Sequence, residues 1–208
     1  MFGFALTLLV VQLEVPRDTN GLRDLVRGSL AFAVAFAMIC YIWWEHNKFF
    51  RRYGLQDAWI AFLNCVLLFV VVFYVYPLKY LANVLLGPGP MPPSWDGRFV
   101  MQTYSFGVLA IFGVFVLLYR HAWARREQLA LGQTELVTLR FNKRAHHISM
   151  FLALVSLGLA FSLPEAWVAI SGMLYGLMGP LHTWNGFKMH RTLEKLASPK
   201  PEPQQSNA

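Results

Sequence analysis

The stretch Phe2-Gly-Phe-Ala-Leu-Thr-Leu-Leu-Val-Val-Gln-Leu13, followed by Glu14-Val-Pro16, sets the reading of this chain. It is apolar apart from Thr7 and Gln12. On a helix, Phe4, Thr7, Leu8 and Val11 fall at i, i+3, i+4 and i+7 and make one narrow stripe. Copies of that stripe around an axis would enclose a tube of apolar rings with one ring of hydroxyls. A helix of this length rises only about 20 Å, whereas a bilayer core is about 30 Å thick. The stretch therefore reads as a spanning helix truncated at its front end, with the chain starting inside the membrane. It lacks the basic n-region and the small-residue cleavage pattern of a signal peptide.

The rest of the 208-residue chain continues in the same vein. It is 56% hydrophobic, and its apolar residues come in blocks rather than in alternation, the pattern of a polytopic helical membrane protein. Six blocks are expected at about 1–13, 28–46, 57–81, 98–119, 147–163 and 166–184. Pro16 and Asn20-Gly21 are expected to break the chain after the first block, and Pro77 to end the third. Pro164-Glu165 closes a hairpin between the last two. From Ser198 the chain reads as a disordered tail. The predicted organisation is an all-α transmembrane domain over 1–190 and a cytoplasmic tail over 191–208.

The net charge of +7 reads as topology rather than nucleic-acid binding, because the basic residues sit between apolar blocks. Lys48, Arg51 and Arg52 fall on one side. Arg120, Arg125, Arg126, Arg140, Lys143 and Arg144 join them there, as do Lys188, Arg191, Lys195 and Lys200. The positive-inside rule makes that side cytoplasmic and places both termini in the cytoplasm. The proline-free segment 120–146 is expected to carry the fourth helix out into the cytoplasm.

Few polar residues interrupt the blocks. Trp43 and His46 lie one helical turn apart at an interface, and an aromatic belt explains them on spacing alone. Asn64 sits in the most apolar block and must find a hydrogen-bond partner, most simply on another helix. Asp57 reads as an N-cap. His146 and His147, beside Lys143-Arg144, read as topology and headgroup contacts. His121, His182 and His190 are scattered, and Cys40 and Cys65 have no disulfide or metal spacing. No nucleophile elbow, zincin helix, phosphate loop or nucleotide fingerprint occurs, which disfavours an enzyme. No cofactor or metal is implied. On periodicity alone, helix packing is the better reading of the opening stripe.

The order of these features changes that weighting. The first 80 or so residues resemble the transmembrane-protein-175 family of lysosomal and bacterial potassium channels. The match runs through Phe2 to Pro16, Ala35-Phe36, Trp43-x-x-His46, Phe49, Asp57, Asn64 and Pro77. Beyond Pro77 it is a hydropathy pattern. The family's Arg and Phe-Ser-Asp signature would precede Met1. The resemblance implies a six-helix subunit that assembles as a homotetramer in the plasma membrane and passes potassium ions. Its first helix would line a pore without a carbonyl filter. Phe4, Leu8 and Val11 would then form the hydrophobic constriction and Thr7 the hydroxyl layer tied to potassium preference. Trp43, His46 and Asn64 would brace the pore helix. A non-conducting membrane scaffold and an intramembrane enzyme are the alternatives.

Overall fold

The computed structural model describes Gly3, Thr7 and residues 18–86 and 96–197. Four long helices dominate it: α1 (Thr19–Tyr53), α2 (Ala58–Leu86), α3 (Gly97–Ala124) and α4 (Gln133–Ser162). A broken segment follows, made of a 3-10 turn (Glu165–Trp167), α5 (Ala169–Met173), a second 3-10 turn (Leu174–Leu177) and α6 (Met178–Ala197). Each long helix packs on the one before it, and α3 and α4 make the most extensive pair.

Four segments are long and apolar enough to cross a membrane: Gly28–Tyr53, Ala58–Val84, Gly97–Ala124 and Gln133–Ser162. Their outer faces carry bare aromatic rings such as Phe69, Phe73, Phe106, Phe151 and Phe161, an arrangement that suits lipid rather than water. Inside, one core joins α1, α2, α3 and α4 through Phe49, Leu67, Phe115, Leu118, Tyr119 and Leu139.

The helix ends are set by particular side chains. Asp18 accepts the Gly21 amide at 2.7 Å, so α1 begins at Thr19 and takes Asn20-Gly21 into its first turn instead of breaking there. Gly54 at φ 57° ends α1 in the left-handed region that favours glycine. Asp57 accepts the Ile60 amide at 3.0 Å and starts α2. Asp96 does the same for α3 through Phe99 at 2.9 Å. Gly132 N–H donates to Glu135 at 2.9 Å where α4 starts.

Four further expectations are corrected. Pro77 does not end its helix, since α2 passes through it to Leu86. A missing amide bond is tolerated where neighbouring helices support the backbone. The fourth block does not run through 120–146. It stops at Ala124, a turn with Ala130 at φ 47° follows, and the rest of the segment is the first half of α4. The sixth block is not one continuous α-helix. Gly172, Gly176, Gly179 and Pro180 supply little helix propensity, and the chain there alternates between α and 3-10 geometry. The tail expected from 191 is helical as far as Ala197, and residues from 198 lie outside the described ones.

The α3–α4 contact is close because α4 presents small residues to it. Ser149, Ala153, Ser156 and Ala160 follow one another at spacings of four, three and four, on the stripe that His146 begins, and all are buried. Small side chains let helix backbones approach and hydroxyls bond across. Ser105 and Ser156 hydroxyls lie 2.8 Å apart, and Ser156 donates to the Ser171 carbonyl at 2.8 Å. On α3, Gly107 is required by its neighbour on α2: a Cβ there would overlap the Tyr74 ring. That ring is held by a hydrogen bond from its hydroxyl to the Tyr104 carbonyl at 3.0 Å.

Candidate functional site

Four residues of the opening stripe were expected to line a pore. Phe4, Leu8 and Val11 lie outside the described residues. Thr7 is described, as helical and exposed.

The bracing residues are on α1 and α2. His46 Nε2 and Asn64 Oδ1 are hydrogen-bonded at 2.7 Å. The bond links the two helices, and the His46 ring also lies 4.5 Å from Phe50. Asn64 thus has the interhelical partner its position demanded. Trp43, one turn before His46, is 45% exposed and turned away from the core.

Next to His46, on another side of α1, is a group that the sequence did not single out. Glu45 is buried. It accepts from Lys48 Nζ at 2.7 Å and stands 3.5 Å from His146 Nε2 of α4. His146 is 2% exposed and stacks against Phe115 at 4.9 Å and Tyr119 at 4.8 Å. The headgroup role expected of His146 is therefore corrected. Burial beside Glu45, Phe115 and Tyr119 makes it a core residue that ties α4 to α1 and α3. Its place on the small-residue stripe of α4 was the available signal, masked by the adjacent Lys143-Arg144. A buried carboxylate in a membrane protein is expensive unless it is paired, and Lys48 and His146 supply the partners of Glu45.

The other scattered histidines also have work. His121 at the end of α3 bonds Asp57 Oδ2 at 2.6 Å. Asp57 therefore caps α2 and ties it to α3 at once. The His121 bond and the Ile60 amide hold the Asp57 carboxyl below its ordinary range. His182 of α6 bonds the Ser149 hydroxyl of α4 at 2.8 Å, and Asn185 donates to the Phe141 carbonyl at 3.0 Å. These two bonds fasten the broken C-terminal segment to α4. A cavity of about 400 Å³ opens between α1, α2, α3 and the broken C-terminal segment, lined among others by Tyr41, Tyr74, Tyr104, Tyr175 and His182. Among the described residues no group of three His, Cys, Asp or Glu side chains is placed to hold a metal ion.

Comparison with known proteins gives this helical frame its place. The pattern of the family described as the endosomal/lysosomal potassium channel TMEM175 matches residues 1–74. A potassium channel of Marivirga tractuosa is 34% identical over 200 residues, which span 87% of this chain and 80% of that relative. The chain belongs to the TMEM175 family. TMEM175 is a channel family rather than an enzyme family. A potassium channel of Chamaesiphon minutus is 27% identical over 178 residues, 82% of this chain and 83% of that one. The crystal structure of a point variant of the potassium channel MtTMEM175, in complex with a nanobody fusion protein, superposes with a TM-score of 0.78 and 31% identity. It covers 91% of this chain and 89% of that one. A lysosomal potassium-selective channel homologue from Chamaesiphon minutus shares the fold, with a TM-score of 0.60 at 24% identity over 90% of this chain and 92% of that one. The TMEM175 frame accounts for the apolar helices, and this chain is accordingly a membrane protein.

Proposed function

We propose that this chain is a subunit of a potassium-permeable, leak-type channel of the plasma membrane, built from six membrane segments and assembled as a homotetramer. The observation that carries this reading is the 34% identity, over 87% of the chain, to a protein named a potassium channel. Membership of TMEM175 supports it, as do the four apolar helices.

In this reading the opening helices of four subunits meet at the axis. Phe4, Leu8 and Val11 form narrow apolar rings that exclude water, and a cation cannot cross a dry segment without losing its hydration shell. Thr7 supplies hydroxyls that favour the more easily dehydrated ion. Trp43, His46 and Asn64 brace the pore helix. The 2.7 Å His46–Asn64 bond supports that role by fixing α1 against α2. Both termini are cytoplasmic by the distribution of basic residues.

The test is ion flux in liposomes holding the purified chain. Leu8→Ser should wet the constriction and raise flux. Thr7→Val keeps the shape, removes the hydroxyl and should lower the preference for potassium over sodium while flux persists. If Leu8→Ser only destabilises the protein and Thr7→Val leaves the ion ratio unchanged, the opening helix does not line a pore.

A further inference from the structure

Two tryptophans near one end of the bundle are wrapped in positive charge. Trp123, in the last turn of α3, has the Lys143 ammonium 4.7 Å from its ring centroid, with the Arg126 and Arg140 guanidiniums at 5.3 and 5.8 Å. Trp184, on α6, has Lys188 at 3.8 Å and Arg144 at 5.3 Å. Arg140, Lys143 and Arg144 share one face of α4 at i, i+3 and i+4, so the two groups join into one stripe across α3, α4 and α6.

The stripe has charge to spare. Arg126 pairs with Glu127 at 3.3 Å. Among the described residues, Arg140, Lys143, Arg144 and Lys188 form no ion pair. A cation resting on an indole face is held in place by the ring quadrupole, and a guanidinium so held keeps N–H donors in its own plane for an anion to take. Further along α4 the surface turns apolar, with Phe151 and Leu154 exposed. A ligand that meets both regions has an anionic head and a hydrocarbon tail.

We propose that this stripe binds the phosphate headgroups of anionic phospholipids, with their acyl chains lying along the apolar part of α4. The proposal uses the membrane location of the chain and is independent of whether it conducts. General attraction between cytoplasmic basic residues and an anionic leaflet depends on charge number alone. A site on this stripe depends on where the charges are.

The experiment separates the two. The full chain is purified in detergent with equal phosphatidylglycerol and phosphatidylcholine, and the lipid retained after gel filtration is measured. The parent should be enriched in phosphatidylglycerol. The variant Arg140→Gln/Arg144→Gln/Lys188→Gln should lose most of that enrichment, at least about tenfold, since each basic residue near an anionic surface contributes about fivefold to binding. The charge-matched variant Arg51→Gln/Arg191→Gln/Lys195→Gln should keep it. These six positions are exposed, so folding is not at stake. The single variant Lys143→Gln should lose part of the enrichment. In a parallel arm, glycerol 3-phosphate should not reproduce the melting-temperature rise that phosphatidylglycerol gives. Equal loss in the two triple variants, no enrichment in the parent, or an equal rise with glycerol 3-phosphate would each overturn the proposal.

Discussion

Replacing Asn64 by leucine removes the amide that meets His46 across the α1–α2 seam and leaves the apolar shape of α2 nearly intact. The hydrogen bond is short at 2.7 Å and half-buried. Interhelical side-chain bonds in membranes contribute about 0.6 kcal/mol on average and up to about 1.7 kcal/mol. The geometry here places this one in the upper half of that range, and the extra apolar surface of leucine offsets part of the loss. The net destabilisation expected is about 1 kcal/mol. Because His46 also packs on Phe50, the single variant mixes two effects. A double-mutant cycle with His46→Phe isolates the pair. Equilibrium unfolding in mixed micelles is the assay. A coupling energy of about 1 kcal/mol is expected, well clear of the roughly 0.3–0.5 kcal/mol scatter of independent sites. Coupling within that scatter would show that the bond contributes nothing net, and the bracing role would go with it.

Gly107→Ala should destabilise by about 1–3 kcal/mol, the usual range for overpacking, because its new methyl overlaps the Tyr74 ring, which must give up its bond to the Tyr104 carbonyl to make room. Tyr74→Leu in the same chain should recover part of the melting temperature, and no recovery would refute the clash. Asp57→Asn keeps the α2 cap and removes the charge facing His121. The carboxyl is held below its ordinary value of 3.8, so its contribution is present above that value and lost as pH falls through the lowered one. The variant should melt below the parent at neutral pH, and the gap should close under acid. A gap that persists unchanged there would contradict the linkage. A single cysteine introduced at Ser198, with Cys40 and Cys65 replaced, should resist an impermeant thiol reagent added to intact cells. Efficient labelling would overturn the orientation.

What could be read from the sequence was what hydropathy encodes. Blocks 28–46, 57–81, 98–119 and 147–163 each fall, to within one residue, on one long helix, because a long apolar run in lipid must satisfy its own backbone. Asn64 stood out since an amide in that setting needs a partner, and Asp57 since an acid before an apolar run caps it. Helix lengths were not legible. The polar turns Asn47–Tyr53 and the first half of α4 are as helical as the apolar ones but carry no hydropathy signal. Pro77 misled because its penalty is local while the support from neighbouring helices is tertiary. His146 misled because its sequence neighbours are cationic, whereas its neighbours in space are Phe115 and Tyr119. The spacing of Ser149, Ala153, Ser156 and Ala160 on the same stripe held the information needed to place it.

Consecutive residues of α1 are gripped from different directions. Glu45 reaches His146 on α4, and His46 reaches Asn64 on α2. On a helix the two side chains diverge by about 100°. The pair acts like two jaws of a chuck. Turning the rod about its own axis in either sense pulls at least one jaw open. Together with the buried Phe49 and Tyr53 one and two turns further on, the two contacts lock the orientation of α1 about its own axis at this end of the bundle.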